Sequence, residues 1–119
     1  MAFRQTFDMD LLNEKNELDK KLSTSVRLMQ DYGLKLAEAE HDYKVELAKT
    51  ALELKEKGTA VTMLPLVIYG TGAVPKLRLQ RDTAEVMYKT AQENIQAMKL
   101  RLRLVEAQIE REWGQAGGV

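Results

Sequence analysis

The chain has 119 residues, 45% hydrophobic and 30% charged, which fits one small domain and is too rich in Leu, Ile, Val and Met for a disordered polymer. Its 18 Lys and Arg balance 18 Asp and Glu, so no global field draws it onto nucleic acid or acidic lipid, and any such contact has to be local. Cysteine is absent, which excludes disulfides, thiolate nucleophiles and the usual structural zinc sites.

Residues 1–10 lack a basic region followed by an apolar run. The longest apolar stretch, Met63 to Tyr69, falls well short of the ~20 residues needed to span a bilayer. A soluble intracellular protein is expected, with no membrane contact and no cofactor.

The first predicted helix covers residues 8–57. Asp8 is placed to accept a hydrogen bond from a free N–H of the first turn, with Phe7 and Leu12 as a hydrophobic staple across the cap. Gly58 marks the end. Between them Leu18, Leu22, Ser25, Met29, Tyr32, Leu36, Ala39, Tyr43, Leu47, Thr50 and Leu54 recur at spacings of three and four, which draws one stripe along a helix. The stripe stays in phase across Gly33, so one helix is expected there, with room for a bend; a Gly in a helix interior costs only about 1 kcal/mol relative to Ala.

Residues 58–72 form the connector. Thr62 is positioned to cap a two-turn helix over Met63 to Tyr69, with Pro65 in its first turn. The β-branched and aromatic content of residues 66–69 also allows a short strand. The helix is favoured, because a lone strand leaves its backbone groups unpaired and nothing else in the chain resembles one.

The second long helix covers residues 73–113, with Thr71 as its cap, Pro75 tolerated in the first turn, and Gly114 as the stop before a flexible tail, 114–119. Leu77, Ala84, Tyr88, Ala91, Ile95, Met98, Leu102, Val105, Ile109 and Trp113 keep three-four spacing, and only Arg81 interrupts the series. At about 1.5 Å per residue the helices would be roughly 75 and 60 Å long, which excludes a compact globule. A second apolar line accompanies each stripe: Ala37, Val45, Ala48 and Leu52 on the first helix, Leu79, Val86, Leu100 and Ala107 on the second. A two-helix seam buries only a narrow stripe on each partner. The expected fold is therefore all-α: a long antiparallel helical hairpin of coiled-coil character with a short helix at the connection, dimerising into a helical bundle or offering its spare apolar line to a partner.

Little in the sequence points to catalysis. His41, the single histidine, is flanked by Glu38, Glu40 and Asp42, and reads as a helix-surface residue rather than a metal ligand, since a closed site needs more donors. Glu53 with Lys57, and Glu85 with Lys89, are four residues apart in the favourable order for solvated helix pairs. Gly70-Thr71-Gly72 lacks the third glycine and preceding parallel strand of a phosphate loop. No catalytic residue and no metal site is assigned, and the protein is expected not to be an enzyme.

Nucleic acid is the alternative that the basic residues raise. Lys76, Arg78 and Arg81 open the second long helix after a helix-turn-helix-like sequence, and Lys99, Arg101 and Arg103 follow further along. Lys76 and Arg78 are about 200° apart on a helix and cannot share one groove. Residues 1–57 hold 10 basic and 12 acidic residues and residues 58–119 hold 8 and 6, a weak polarisation for binding driven by counterion release. Tyr32, Tyr43, Tyr88 and Trp113 lie on the stripes and read as core rather than as stacking platforms.

The connector carries more apolar surface than a turn needs. Met63, Leu64, Leu66, Val67, Ile68 and Tyr69 either cap the end of the bundle core or form an interaction patch, and they are the partner-binding candidates.

Tyr43-Lys44-Val45-Glu46-Leu47-Ala48, then Gly58 to Thr62, then Lys76-Leu77 with the run Arg81 to Lys89, and finally Ile109 to Trp113 carry a resemblance. Over residues 39–113 the chain resembles small uncharacterised helical proteins of phages that infect Gram-positive bacteria. The resemblance implies an early-region accessory factor in a bacterial host's cytoplasm, near replication and recombination genes, with no catalytic residues. The expected function is binding of a host or phage protein to modulate replication, recombination or defence; the alternatives are a nucleic-acid-binding accessory protein and a scaffold or virion component.

Overall fold

A computed structural model of the chain describes the backbone of residues 2–117 and the side chains of residues 9–114. Helix α1 spans Ala2–Glu56, the four-residue α2 spans Leu64–Val67 and runs into a 3₁₀ turn, Ile68–Gly70, and α3 spans Val74–Gly117. Among the described residues there is no strand, and within the connector Leu64–Val67 and Ile68–Gly70 are helical, with turns on either side. The architecture is an antiparallel helical hairpin with a short helix at its turn. Packing divides it into two units, Met1–Met29 with Ala91–Val119, and Gln30–Thr90.

In the first unit Leu18, Ile95 and Val105 are buried, and Leu22, Ser25, Met29, Ala91, Met98, Leu102 and Ile109 are half-buried around them. The Ser25 hydroxyl donates to Met98 Sδ at 3.6 Å, which gives a polar group within the seam a partner. At its edge the Arg101 guanidinium donates to Glu14 Oε1 at 2.9 Å.

In the second unit Tyr43, Thr50, Ile68 and Val74 are buried, with Val74 wholly inaccessible. Tyr32, Leu36, Ala39, Leu47, Leu54, Leu77, Ala84 and Tyr88 lose part of their surface with them. Thr50, in a seam position, donates its hydroxyl to Glu46 Oε1 at 3.5 Å. All eleven residues of the α1 stripe are thus shielded. Gly33 lies within a continuous α1 and faces Tyr88, and a Cβ built on it would stand 3.2 Å from the ring's Cε2. The glycine permits close approach of the two elements rather than a break.

Trp113 departs from expectation, with 58% of its surface exposed. The heptad spacing explains this: the step after Ile109 is three residues, not four, and lands on Glu112, which is half-buried and accepts from Gln108 Nε2 at 2.9 Å. Trp113 stands one residue out of register, about 100° round the helix.

The helix ends also differ from those expected, except at Gly58. There the chain turns with φ +86°, Gly58 N–H donates to the Lys55 carbonyl at 3.0 Å, and Thr59 N–H donates to the Leu54 carbonyl at 3.0 Å. This pair of bonds is the Schellman closure of a helix C-terminus, and it favours glycine at that position. Thr62 does not cap α2. Met63 is its N-cap residue without a side-chain bond, because the Met63 and Leu64 N–H groups already donate to the Ala60 carbonyl at 2.9 and 3.2 Å. Thr71 does not cap α3 with its side chain; its hydroxyl donates back to the Val67 carbonyl at 2.6 Å and closes the short helix instead.

α3 starts at Val74 and passes through Gly114 to Gly117, so Gly114 is not the stop and most of the expected tail is helical. A single helical glycine carries only about a 1 kcal/mol penalty and does not by itself end a helix. At the other end α1 is already formed at Ala2 rather than beginning at Asp8, and the proposed Asp8 cap and Phe7 staple lie outside the described side chains.

Two stability measurements follow. Ile95→Asp places an unpaired carboxylate in the seam and is expected to destabilise by at least about 3 kcal/mol, lowering the thermal midpoint by more than about 10 °C in circular dichroism melts. An unchanged midpoint would contradict the seam. For Gly33→Ala, the helix-propensity gain of about 1 kcal/mol is offset by displacement of the Tyr88 ring. In a Tyr88→Leu background the gain appears in full, giving a coupling on the order of 1 kcal/mol in a double-mutant cycle.

Candidate interaction surfaces

The turn in the second unit divides the apolar connector residues into two sets. Ile68 is buried at 8% exposure, and Leu64 and Val67 are half-buried, so these three anchor the connector on the unit's core. Leu66 is 73% exposed, and Met63 and Tyr69 are also exposed. Val61, which the sequence did not single out, joins them in solvent. Its signal was position alone, in the uncharged run from Gly58 to Pro75. The short helix, the 3₁₀ turn and the Thr71 hydroxyl fix the backbone between these side chains, so the exposed ones stand on an ordered frame. Arg78 lies over the Tyr69 ring at 4.8 Å, within the range of a cation–π contact.

The basic candidates do not act as a set. In the second unit Lys76 and Arg78 are exposed on α3, while Arg81 occupies the seam position where the apolar series lapses. Its side chain is 25% exposed, its guanidinium lies 4.7 Å from the centre of the buried Tyr43 ring, and Nη2 donates to Asp82 Oδ1 at 2.7 Å. The hydrogen bonds to Asp82 push the Arg81 pKa above its ordinary value, outweighing the opposing effect of burial. Arg81 thus substitutes for a core aliphatic: its stem and planar head cover Tyr43, and Asp82 satisfies its donors. In the first unit Lys99 and Arg103 are exposed, and Arg101 is engaged with Glu14.

His41 is exposed, with Nδ1 3.3 Å from Asp42 Oδ1. Among the described residues no group of three or more His, Cys, Asp or Glu is arranged to hold a metal ion. Among the same residues no helix is long and apolar enough to cross a membrane. Lys89 pairs with Glu85 at 3.0 Å as their four-residue spacing predicts.

The second apolar line expected from the sequence stands in solvent. Ala37, Val45, Ala48 and Leu52 of α1 are exposed, as are Leu79, Val86, Leu100 and Ala107 of α3. In the second unit an open groove of about 410 Å³ runs beside this line, with Tyr32 and Lys35 of α1 on one side and Leu79, Thr83, Ala84 and Met87 of α3 on the other. Lys35 Nζ lies 5.8 Å from the Tyr32 ring centre.

No protein-family model matches the chain, and no curated protein or solved structure matches it significantly.

Because Arg81 serves the core, Arg81→Leu is expected to leave the fold unchanged and the stability equal or higher by up to about 1 kcal/mol, whereas Arg81→Ala uncovers Tyr43 and destabilises. Thermal melts of the two variants check this. Strong destabilisation by Leu would mean that the Asp82 bond, rather than coverage of the ring, is what Arg81 contributes.

Proposed function

We propose that this chain is a non-enzymatic helical-hairpin accessory protein whose turn docks onto another protein. The supporting observation is the division of the connector into buried anchors, Ile68 with Leu64 and Val67, and an exposed set, Val61, Met63, Leu66 and Tyr69, on a hydrogen-bonded frame. Capping a hairpin needs only the anchors. Exposed Met, Leu and Tyr on a fixed backbone bring contact area at low ordering cost, which is the character of binding hot spots.

The resemblance of residues 39–113 to helical proteins of phages of Gram-positive bacteria supports a more specific reading. On that reading the partner is a host or phage protein acting in replication, recombination or defence, and the chain works in the bacterial cytoplasm. The nucleic-acid alternative is weaker, because Arg81 is engaged with Tyr43 and Asp82, Arg101 pairs at the surface with Glu14, and Lys76 and Arg78 lie about 200° apart on α3. No separate observation favours a scaffold or virion component.

The test compares two variants. Leu66→Ser with Tyr69→Ser is expected to keep the thermal midpoint within a few degrees and to abolish capture of the partner from infected or host lysate, while Ile68→Ser lowers the midpoint. Partner capture unaffected by the double substitution would overturn the reading. So would submicromolar binding of single- or double-stranded DNA that weakens steeply with salt.

A further inference from the structure

The groove beside Leu79 flanks the seam between α1 and α3, and the exposed face of α3 next to it has a pattern of its own. Within the second unit, α3 presents Leu77, Arg81, Ala84 and Tyr88 to α1. Between Leu79 and Thr90 another series, Leu79, Thr83, Val86 and Thr90, repeats the same spacing of four, three and four, and all four residues are exposed. Gln80 and Met87 stand beside them, also exposed. This arc of the helix carries no charge: Asp82 and Lys89 lie on its rim, Glu85 lies beyond it, and Arg81 is in the seam. Such spacing is what a helix needs to receive another helix along its length.

Size and charge on this face are complementary under a two-fold axis perpendicular to α3 between Ala84 and Glu85. An antiparallel copy of the segment then sets Leu79 against Thr90, Val86 against Thr83 and Met87 against Gln80, so that each large side chain meets a smaller one. On the rim the same operation sets Asp82 opposite Lys89, twice by symmetry, while each keeps its neighbour in the chain, Arg81 for Asp82 and Glu85 for Lys89. Both rim residues retain exposure, at 50% for Asp82 and 68% for Lys89, so this pairing selects register more than it adds affinity. A small-molecule site would need polar groups converging in the groove, and its only charged lining residue, Lys35, is turned over Tyr32.

We infer that this face is a self-association surface, on which residues 79–90 of α3 pack antiparallel against the same residues of a second copy. It is independent of the turn proposed to dock another protein, so loss of either function leaves the other measurable.

The absence of cysteine makes the test direct. Sedimentation equilibrium of the full chain between about 1 and 100 µM is expected to show a monomer–dimer equilibrium, and Val86→Lys is expected to weaken it at least about tenfold without loss of helicity. Under mild oxidation, Thr83→Cys and Val86→Cys, close to the axis, should each form a covalent dimer. Leu79→Cys and Thr90→Cys should do so only when mixed. Leu52→Cys on α1, equally exposed, should stay monomeric. A monomer at all concentrations, a dimer indifferent to Val86→Lys, or self-linking at Leu79 and Thr90 as in a parallel pair would each overturn the proposal.

Discussion

Two long helices stay together here through one narrow stripe apiece, and the rest of the molecule follows from how little surface that stripe covers. Among the described residues, Leu18, Ile95 and Val105 in one unit, and Tyr43, Thr50, Ile68 and Val74 in the other, are the buried ones. Isolated helices gain little in water from propensity alone, so the apolar face each presents to the other supplies most of the stability. A seam of this width has little redundancy. Each irregular position needs a local solution, and the solutions are visible: Gly33 yields space to Tyr88, the Ser25 hydroxyl finds Met98 Sδ, and Arg81 lies over Tyr43 where a leucine would otherwise stand.

Much of this was legible in the sequence because the signal is periodic. Three-four spacing from Leu18 to Leu54 and from Leu77 to Ile109 specified both the elements and the residues that face inward. The left-handed residue that closes α1 was legible at Gly58 for a steric reason. The sequence was less informative where two partners compete for one group. The Thr71 hydroxyl had a choice between the helix after it and the carbonyl before it, and Thr62 lost its role to the Ala60 carbonyl. Trp113, four residues after Ile109, satisfies three-four spacing as well as Glu112 does, and only the strict alternation of the register distinguishes them. The connector's apolar run could be recognised as excessive, but which half of it is anchored depends on a turn whose geometry has no periodicity to read.

Narrow burial also bears on function. What a two-helix seam leaves uncovered is apolar surface, and in the second unit two stretches of it, besides the α1 line of Val45 and Leu52, differ in chemistry. At the turn, Val61, Met63, Leu66 and Tyr69 project from an uncharged connector whose nearest charges beyond Pro75 are the basic Lys76 and Arg78. On α3 the exposed series from Leu79 to Thr90 is regular, uncharged and matched in size and charge to its own inverse. The first suits an unlike protein surface and the second a like helix. In the proposed account the chain associates with itself along α3 and engages its target through the turn, so that one fold brings a partner to a defined place.

Everything else in the molecule depends on the register of α1 against α3 within one chain. An isotope-edited nuclear Overhauser spectrum of the full-length protein tests it at its closest approaches. Cross-peaks are expected between the Tyr88 ring protons and the Gly33 Hα protons, and between Ser25 Hβ and the Met98 methyl group, all within a single molecule. Absence of these cross-peaks in a folded sample, or their appearance only between differently labelled chains, would contradict the account.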